Sequence, residues 1–150
     1  MNELKTKILK QLLALQADRI EELLRYQIDL SDALQSESKS TAGDKHDTSR
    51  AMIHLEQEKL QHQFQELQLQ LQRLREMNEL NPLTQANFGA LVETTSDLFL
   101  LGASLGKQVV DGRAIYCIGM EAPIAQAMLN KAIADQLLFN GKLTEILAIS

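Results

Sequence analysis

Two acidic residues stand three positions apart in a short polar stretch, Gly43-Asp-Lys-His-Asp-Thr48. Positions i and i+3 of a helical turn lie on one side of the helix, so Asp44 and Asp47 would present their carboxylates together. The same pair is also typical of a helix start, with Asp44 as the cap and Asp47 completing a capping box near the positive end of the dipole. Taken alone, the residues favour capping over a metal-binding role.

Three further side chains recur every four residues, namely His54, Glu58 and His62. That spacing could hold Zn²⁺ or Ni²⁺ on a helix, but the neighbouring glutamines favour a solvated face.

The single cysteine, Cys117, lies in an apolar run with no histidine or basic neighbour to lower its pKa, which is typical of an inert core residue. One cysteine, no apolar leader and no membrane-length apolar run together predict a cytoplasmic protein.

The charge balance narrows the class of partner. The net charge is −5, with 11 Lys and Arg against 14 Asp and Glu before Pro82, and 4 against 6 after it. Neither half is basic, which argues against a protein that binds free nucleic acid through phosphate contacts. Aromatic residues make up only 4% of the chain, which fits a chain largely occupied by surface-rich helix.

The first half of the chain predicts two long helices. Residues 2–35 contain no Gly or Pro and residues 50–79 are rich in Gln and Leu, all compatible with helix. Each helix carries apolar residues at spacings of three and four, which form an apolar stripe along one side. On the first helix, interrupted by Arg19, the stripe consists of Leu12, Leu15, Leu23, Tyr26, Leu30 and Ala33. On the second helix, with heptad spacing, it consists of Leu60, Phe64, Leu67, Leu71 and Leu74. Stripes this narrow need a partner helix, so residues 1–80 are predicted to form an antiparallel coiled-coil hairpin with a polar turn at about 36–48. Dimerisation through the same heptads stays an open alternative.

The second half predicts a small sheet. Asn81–Pro82 ends the second helix, because a residue before proline is pushed out of the helical region. Strands are predicted over residues 88–94, 98–103, 109–110, 113–118, 136–139 and 143–149, with type I′ turns at Asp111-Gly112 and Asn140-Gly141. A short helix should begin at Ala122-Pro123. The fold class is therefore α+β, with a small antiparallel sheet and one helix over residues 81–150.

Two segments carry a resemblance to a known family. Residues 122–131, Ala-Pro-Ile-Ala-Gln-Ala-Met-Leu-Asn-Lys, and residues 143–149, Leu-Thr-Glu-Ile-Leu-Ala-Ile, resemble the end of the Gre transcription elongation (transcript cleavage) factors. There a Ser-Pro-Ile-(Ala/Gly)-x-Ala-Leu-(Leu/Ile)-Gly-Lys segment precedes a Tyr-Glu-Ile-x-x-Ile strand. Asn130 stands where the family has Gly, and is the best other residue for a left-handed helix end. Ala122 replaces the Ser, which removes a cap or a partner contact.

The resemblance implies an architecture and a site. Gre factors are a helical hairpin followed by an FKBP-like domain, and their hairpin enters the secondary channel of bacterial RNA polymerase. Their tip reads Gly-Asp-Leu-Ser-Glu-Asn, so Asp44 and Asp47 fall on its Asp and Glu. By this resemblance the two residues help to hold a Mg²⁺ shared with the polymerase and orient the water that cuts backtracked RNA. Pro123 and Ile124 become part of the surface that docks on the polymerase.

The same resemblance implies a cofactor protein for the RNA cleavage activity of the polymerase, and not an enzyme by itself. By the same resemblance the protein meets the RNA 3′ end only in the complex, and is DNA-binding by family description alone. Two exposed Asp residues do not dehydrate Mg²⁺ by themselves, so the free protein should bind this ion only weakly. We expect a monomer, with a coiled-coil dimer as the alternative. Asp47 reaches about 1.5 Å less far than Glu, one carbon–carbon bond, and Lys45 and His46 add positive charge where the family has Leu and Ser. The alternative is a non-catalytic interaction protein, or a polymerase regulator or inhibitor without cleavage activity.

Overall fold

A computed structural model describes residues 1–38 and 43–150, with the side chains of residues 1–36 and 48–150. Two long helices come first, α1 over Asn2–Ser38 and α2 over Gly43–Asn78. The remaining elements are β1 (Leu91–Thr94), β2 (Leu98–Leu101), β3 (Gly106–Val110), β4 (Arg113–Ile118), α3 (Pro123–Met128), β5 (Gln136–Phe139) and β6 (Lys142–Ile149). The predicted α+β class, a helical hairpin followed by a sheet with a short helix, is confirmed. Within the described residues, none of the helices has the length and apolar character needed to cross a bilayer.

The predicted apolar stripe agrees with the observed burial on α2 but only in part on α1. The predicted heptad positions of α2 are confirmed as inward, since Leu60 and Leu74 are buried and the three leucine and phenylalanine positions between them are half-buried. The α1 stripe is wrong in part, because Tyr26 is 45% exposed and Ala33 is also exposed. Gln16 is fully buried instead, and its Nε2 donates to the carbonyl of Leu67 at 3.0 Å. A glutamine that looked polar in sequence therefore belongs to the contact between the helices.

Both helices continue into the segment predicted to be the turn. α1 extends through Ser38 and α2 starts at Gly43, so residues 43–48 are helical and the predicted turn at 36–48 is too wide. Ser, Thr and Asp are favoured both in turns and around helix starts, and composition alone does not separate the two.

The six strands form one sheet in the order β3-β4-β2-β1-β6-β5. All pairs are antiparallel as predicted except β2 with β4, which is parallel. The parallel pair arises because the chain leaves β2, forms β3 at the edge of the sheet, and returns as β4 between them. Both predicted type I′ turns are confirmed by positive φ at successive residues, 53° and 74° at Asp111 and Gly112, and 52° and 74° at Asn140 and Gly141.

The chain divides into two compact units, Met1–Ala14 with Gln70–Ser150, and Leu15–Leu69. The predicted boundary between residues 80 and 81 stays a prediction. In the first unit, each face of the sheet has its own core. The helix-backed face packs Ile8, Leu9, Leu12, Leu74 and Met77 against Leu91, Leu98, Leu100, Ile115 and Cys117. The α3 face packs Ala125 and Met128 against Val92, Phe99, Leu101, Leu137 and Ile146.

Candidate functional site

The predicted tip residues lie at the start of α2. The backbone of Asp44 and Asp47 falls within the first two turns of this helix, with Lys45 and His46 between them. The side chains of all four lie outside the described residues. Their roles in metal binding, helix capping or RNA contact therefore stay predictions.

The second predicted site begins where α3 begins. Pro123 is the first residue of α3, and Ala122 before it is extended, at φ −63° and ψ 141°, with no side-chain capping bond. The helix ends at Met128, and Asn130, two residues further on, is left-handed at φ 64°, as the sequence predicts. Beyond the helix, the Asn130 N–H donates to the carbonyl of Ala86 at 2.8 Å, and the Ala86 N–H donates to Lys131 at 2.8 Å. These two bonds hold the end of α3 against the chain that precedes β1.

An open cavity of about 250 Å³ lies beside α3. Its apolar lining comes from Ile124, Phe99 and Phe139, and its polar lining from Ser96, Asp97, Asn140, Lys142 and Thr144. The volume is below the roughly 300–1,000 Å³ of typical small-molecule pockets. Its size and lining suit one or two apolar side chains of a partner, with polar groups around them.

The sequence indicated one residue of this cavity and not the others. Ile124 was predicted as a partner contact and lines the cavity, whereas Pro123 is exposed outside it. The sequence predicts Phe99 and Phe139 in strands, and four Phe and two Tyr in the whole chain are too few to predict an aromatic-lined pocket. Opposite charges, Asp97 and Lys142, also line the cavity. No local signal joined these residues, because β2 and the β5–β6 turn are some 40 positions apart in the chain.

Two minor candidates have plain explanations. His54, Glu58 and His62 are all exposed on α2, and no group of three metal-ligating residues occurs among the described residues. Cys117 is 1% exposed, and burial raises the pKa of its thiol to about 12. The prediction of an inert core cysteine is confirmed, since a thiol at that pKa is protonated at neutral pH.

A buried lysine, Lys5, contacts the chain at the C-terminal end of β6, whereas the cavity beside α3 lies at the start of this strand. Lys5 is 6% exposed, burial lowers its pKa, and its Nζ donates to the carbonyl of Ser150 at 3.1 Å. Ser150 also exchanges two backbone hydrogen bonds with Leu91, each 2.9 Å. The small cavity here, about 130 Å³, is lined by Asn2, Thr6 and Asn78 among others. These contacts join the start of α1 to the end of the sheet, a structural role.

The chain was compared with protein-family models, curated proteins and solved structures. No protein-family model, curated protein or solved structure matches the chain. The resemblance to Gre factors therefore rests on the residues and element order of this chain alone.

Proposed function

We propose that this protein is a Gre-like transcription elongation factor, which binds bacterial RNA polymerase and promotes cleavage of backtracked RNA through its tip carboxylates. The cavity beside α3 is the docking surface, and the start of α2 is the part that reaches the active centre. The observation that carries the proposal is the open cavity at Ile124, the residue that the resemblance to Gre factors makes part of the docking surface.

The local structure of α3 supports the docking role. Ile124 is half-buried on the first turn of a helix that is held at both ends, by Pro123 and by the left-handed Asn130. A rigid helix start loses little conformational freedom when a partner side chain enters the cavity. Asp97 and Lys142 in the cavity wall offer one charge of each sign, which can orient the partner.

The hairpin supports the delivery role. Asp44 and Asp47 are the residues that would hold a Mg²⁺, because carboxylate oxygens are the ligands this ion prefers and one or two from the protein suffice. Held by these residues in a polymerase active centre, the ion would supply the positive charge that activates an attacking water or stabilises a leaving oxygen. Each carboxylate could also accept a hydrogen bond from that water and so orient it. In the free protein, two carboxylates alone do not displace enough water for tight binding.

The test adds the purified chain to a stalled, backtracked complex of bacterial RNA polymerase and looks for short 3′ RNA fragments. Asp44→Asn and Asp47→Asn each keep the side-chain shape and remove one metal-binding charge. Each should lower the cleavage rate about a hundredfold, which is about 2.7 kcal/mol of activation free energy. Affinity for the polymerase should change little.

A docking variant separates binding from chemistry. Ile124→Asp places a charge in the apolar cavity and should weaken polymerase binding about tenfold or more. Ile133→Asp is the matched control, because Ile133 is 56% exposed and does not line the cavity. Variants of Asp44 and Asp47 that cut as fast as the parent would remove the tip from the mechanism. Cavity-dependent binding without any cleavage would identify a non-catalytic regulator, and an absence of binding would refute the proposed function.

A further inference from the structure

One edge of the sheet has free backbone groups. β5 lies at one edge of the sheet, next to β6. In the part of the chain that the structure describes, no strand pairs with the outer side of β5. Phe139 and Lys142 flank a two-residue turn and so form a hydrogen-bonded pair. Hydrogen-bonded and non-hydrogen-bonded residue pairs alternate along an antiparallel pair of strands. The backbone N–H and C=O groups of Gln136 and Leu138 therefore point away from β6.

The same edge exposes large apolar side chains. Leu138 is 66% exposed and lies directly opposite Leu143, which is 60% exposed, across the β5–β6 pair. Leu137 packs into the core of the α3 face, so Leu138 and Leu143 are on the other face. Leu147, 48% exposed, stands further along β6. Leu138 on the edge strand and Leu143 beside it on β6 thus expose neighbouring apolar side chains, which favours contact with another chain.

The opposite edge is built differently. β3 carries Lys107, and the turn that follows it holds Asp111 in an ion pair with Lys7. Charged side chains on an edge strand discourage further pairing. β5, Gln-Leu-Leu-Phe, has neither a charge nor a proline. The two edges therefore differ in the feature that normally prevents strand addition.

We propose that β5 pairs in antiparallel fashion with β5 of a second copy of this chain, about a two-fold axis near Leu137. In this register, Gln136 of each copy faces Leu138 of the other, so the outward peptide groups form a self-complementary set of hydrogen bonds. No like charges meet, because the strand is uncharged. The four residues of β5 bury less than the roughly 1,000 Å² of a stable interface, so the dimer is concentration-dependent and not permanent.

The test measures self-association of the full chain by sedimentation equilibrium, over about 10 µM to 1 mM, a range that covers weak dimers. Amide hydrogen exchange is followed over the same concentrations. Exchange at Gln136 and Leu138 should slow as concentration rises, whereas Leu137 and Phe139, already bonded to β6, should not change. Unchanged exchange at Gln136 and Leu138 in a dimerising sample would refute the proposal.

Leu138→Lys places a charge on the edge and should raise the dissociation constant about tenfold or more. Val109→Lys is the matched control on β3, where Val109 is 64% exposed, and should leave association unchanged. Circular dichroism checks that both variants remain folded. A dimer that is insensitive to Leu138→Lys forms elsewhere, for example through the helices, and overturns the proposal. A monomer at every concentration also overturns it, and leaves the edge to an extended segment of another protein.

Discussion

Backbone conformation at single residues defines the ends of several elements in the part of the chain that forms the sheet. Asp111, Asn130 and Asn140 have positive φ, and Asp and Asn tolerate that region better than other residues with a Cβ. Ala134 has φ 72° without that tolerance. Its N–H donates to the carbonyl of Ile146 at 2.9 Å, and the Ile146 N–H donates to Asp135 at 2.9 Å. Two residues thus face one across the pair, a β-bulge in which the left-handed position usually holds glycine.

The strain at Ala134 predicts a stabilising substitution. Ala134→Gly should raise the free energy of unfolding by about 1 kcal/mol, because glycine adopts this φ without the steric cost that alanine bears. The measurement is chemical denaturation of the full chain. Ala127→Gly, the same change inside α3, should instead lower stability by about 1 kcal/mol. A loss of stability at residue 134 would show that alanine is not strained there.

At the scale of elements, α1 and α2 show how a polar residue enters a helix–helix contact. Gln16 Nε2 bonds to the Leu67 carbonyl, while its Oε1 is buried without a hydrogen-bond partner among the described residues. A buried carbonyl oxygen without a partner costs free energy. A single buried polar residue in such a contact also favours one register and one pairing over others. Gln16 therefore lowers stability and restricts how the helices pair.

Gln16→Leu should raise the free energy of unfolding by about 1–2 kcal/mol, through the added apolar burial and the loss of the unpaired oxygen. Leu67 keeps its carbonyl within the α2 backbone pattern, so little is lost on that side. Gln61→Leu on the exposed face of α2 is the control, with an effect within about 0.5 kcal/mol. Thermal and denaturant unfolding provide the comparison. A destabilised Gln16→Leu variant would mean that the amide oxygen has a partner after all.

At the scale of the whole molecule, the core under the sheet draws on both ends of the helical hairpin. Ile8, Leu12, Leu74 and Met77 are at most 2% exposed and pack on the helix-backed face. Each buried side chain of this size contributes about 1.5–3 kcal/mol. Together they approach the roughly 5–15 kcal/mol that stabilises a whole domain. The sheet therefore depends on α2 residues shortly before it and on Ile8 and Leu12, which precede β1 by more than 70 positions.

This dependence predicts the outcome of two truncations. A chain in which a short Gly/Ser turn joins Ala14 directly to Gln70 keeps the complete first unit and should fold cooperatively. Residues 81–150 alone lack all five buried helix residues of this core, which are Ile8, Leu9, Leu12, Leu74 and Met77, and should be largely unfolded. Circular dichroism and thermal melting distinguish them. A cooperative melt from residues 81–150 would show that the sheet does not need the helices.

Much of this fold could be predicted from local sequence, because local chemistry controls it. The two Gly-containing turns, the proline start of α3 and the left-handed Asn130 depend on φ preferences of one or two residues. The heptad on α2 reflects a side-chain period that is visible in the chain. Of the candidate site, the resemblance to Gre factors indicated Pro123 and Ile124, of which Ile124 lines the cavity. The local sequence placed Asp44 and Asp47 next to the start of a helix.

Tertiary structure alone decided the rest, because strand order and long-range packing join residues without any local signal. The parallel β2–β4 pair depends on β3 passing to the sheet edge. The cavity at Ile124 requires Phe99 and Phe139, which come together only when β2 and the β5–β6 turn meet α3. Gln16 lies inward because the partner helix offers it the Leu67 carbonyl, and Tyr26 lies outward although its spacing fits the apolar stripe. Period and propensity act within an element, whereas these choices depend on the surface that another element presents.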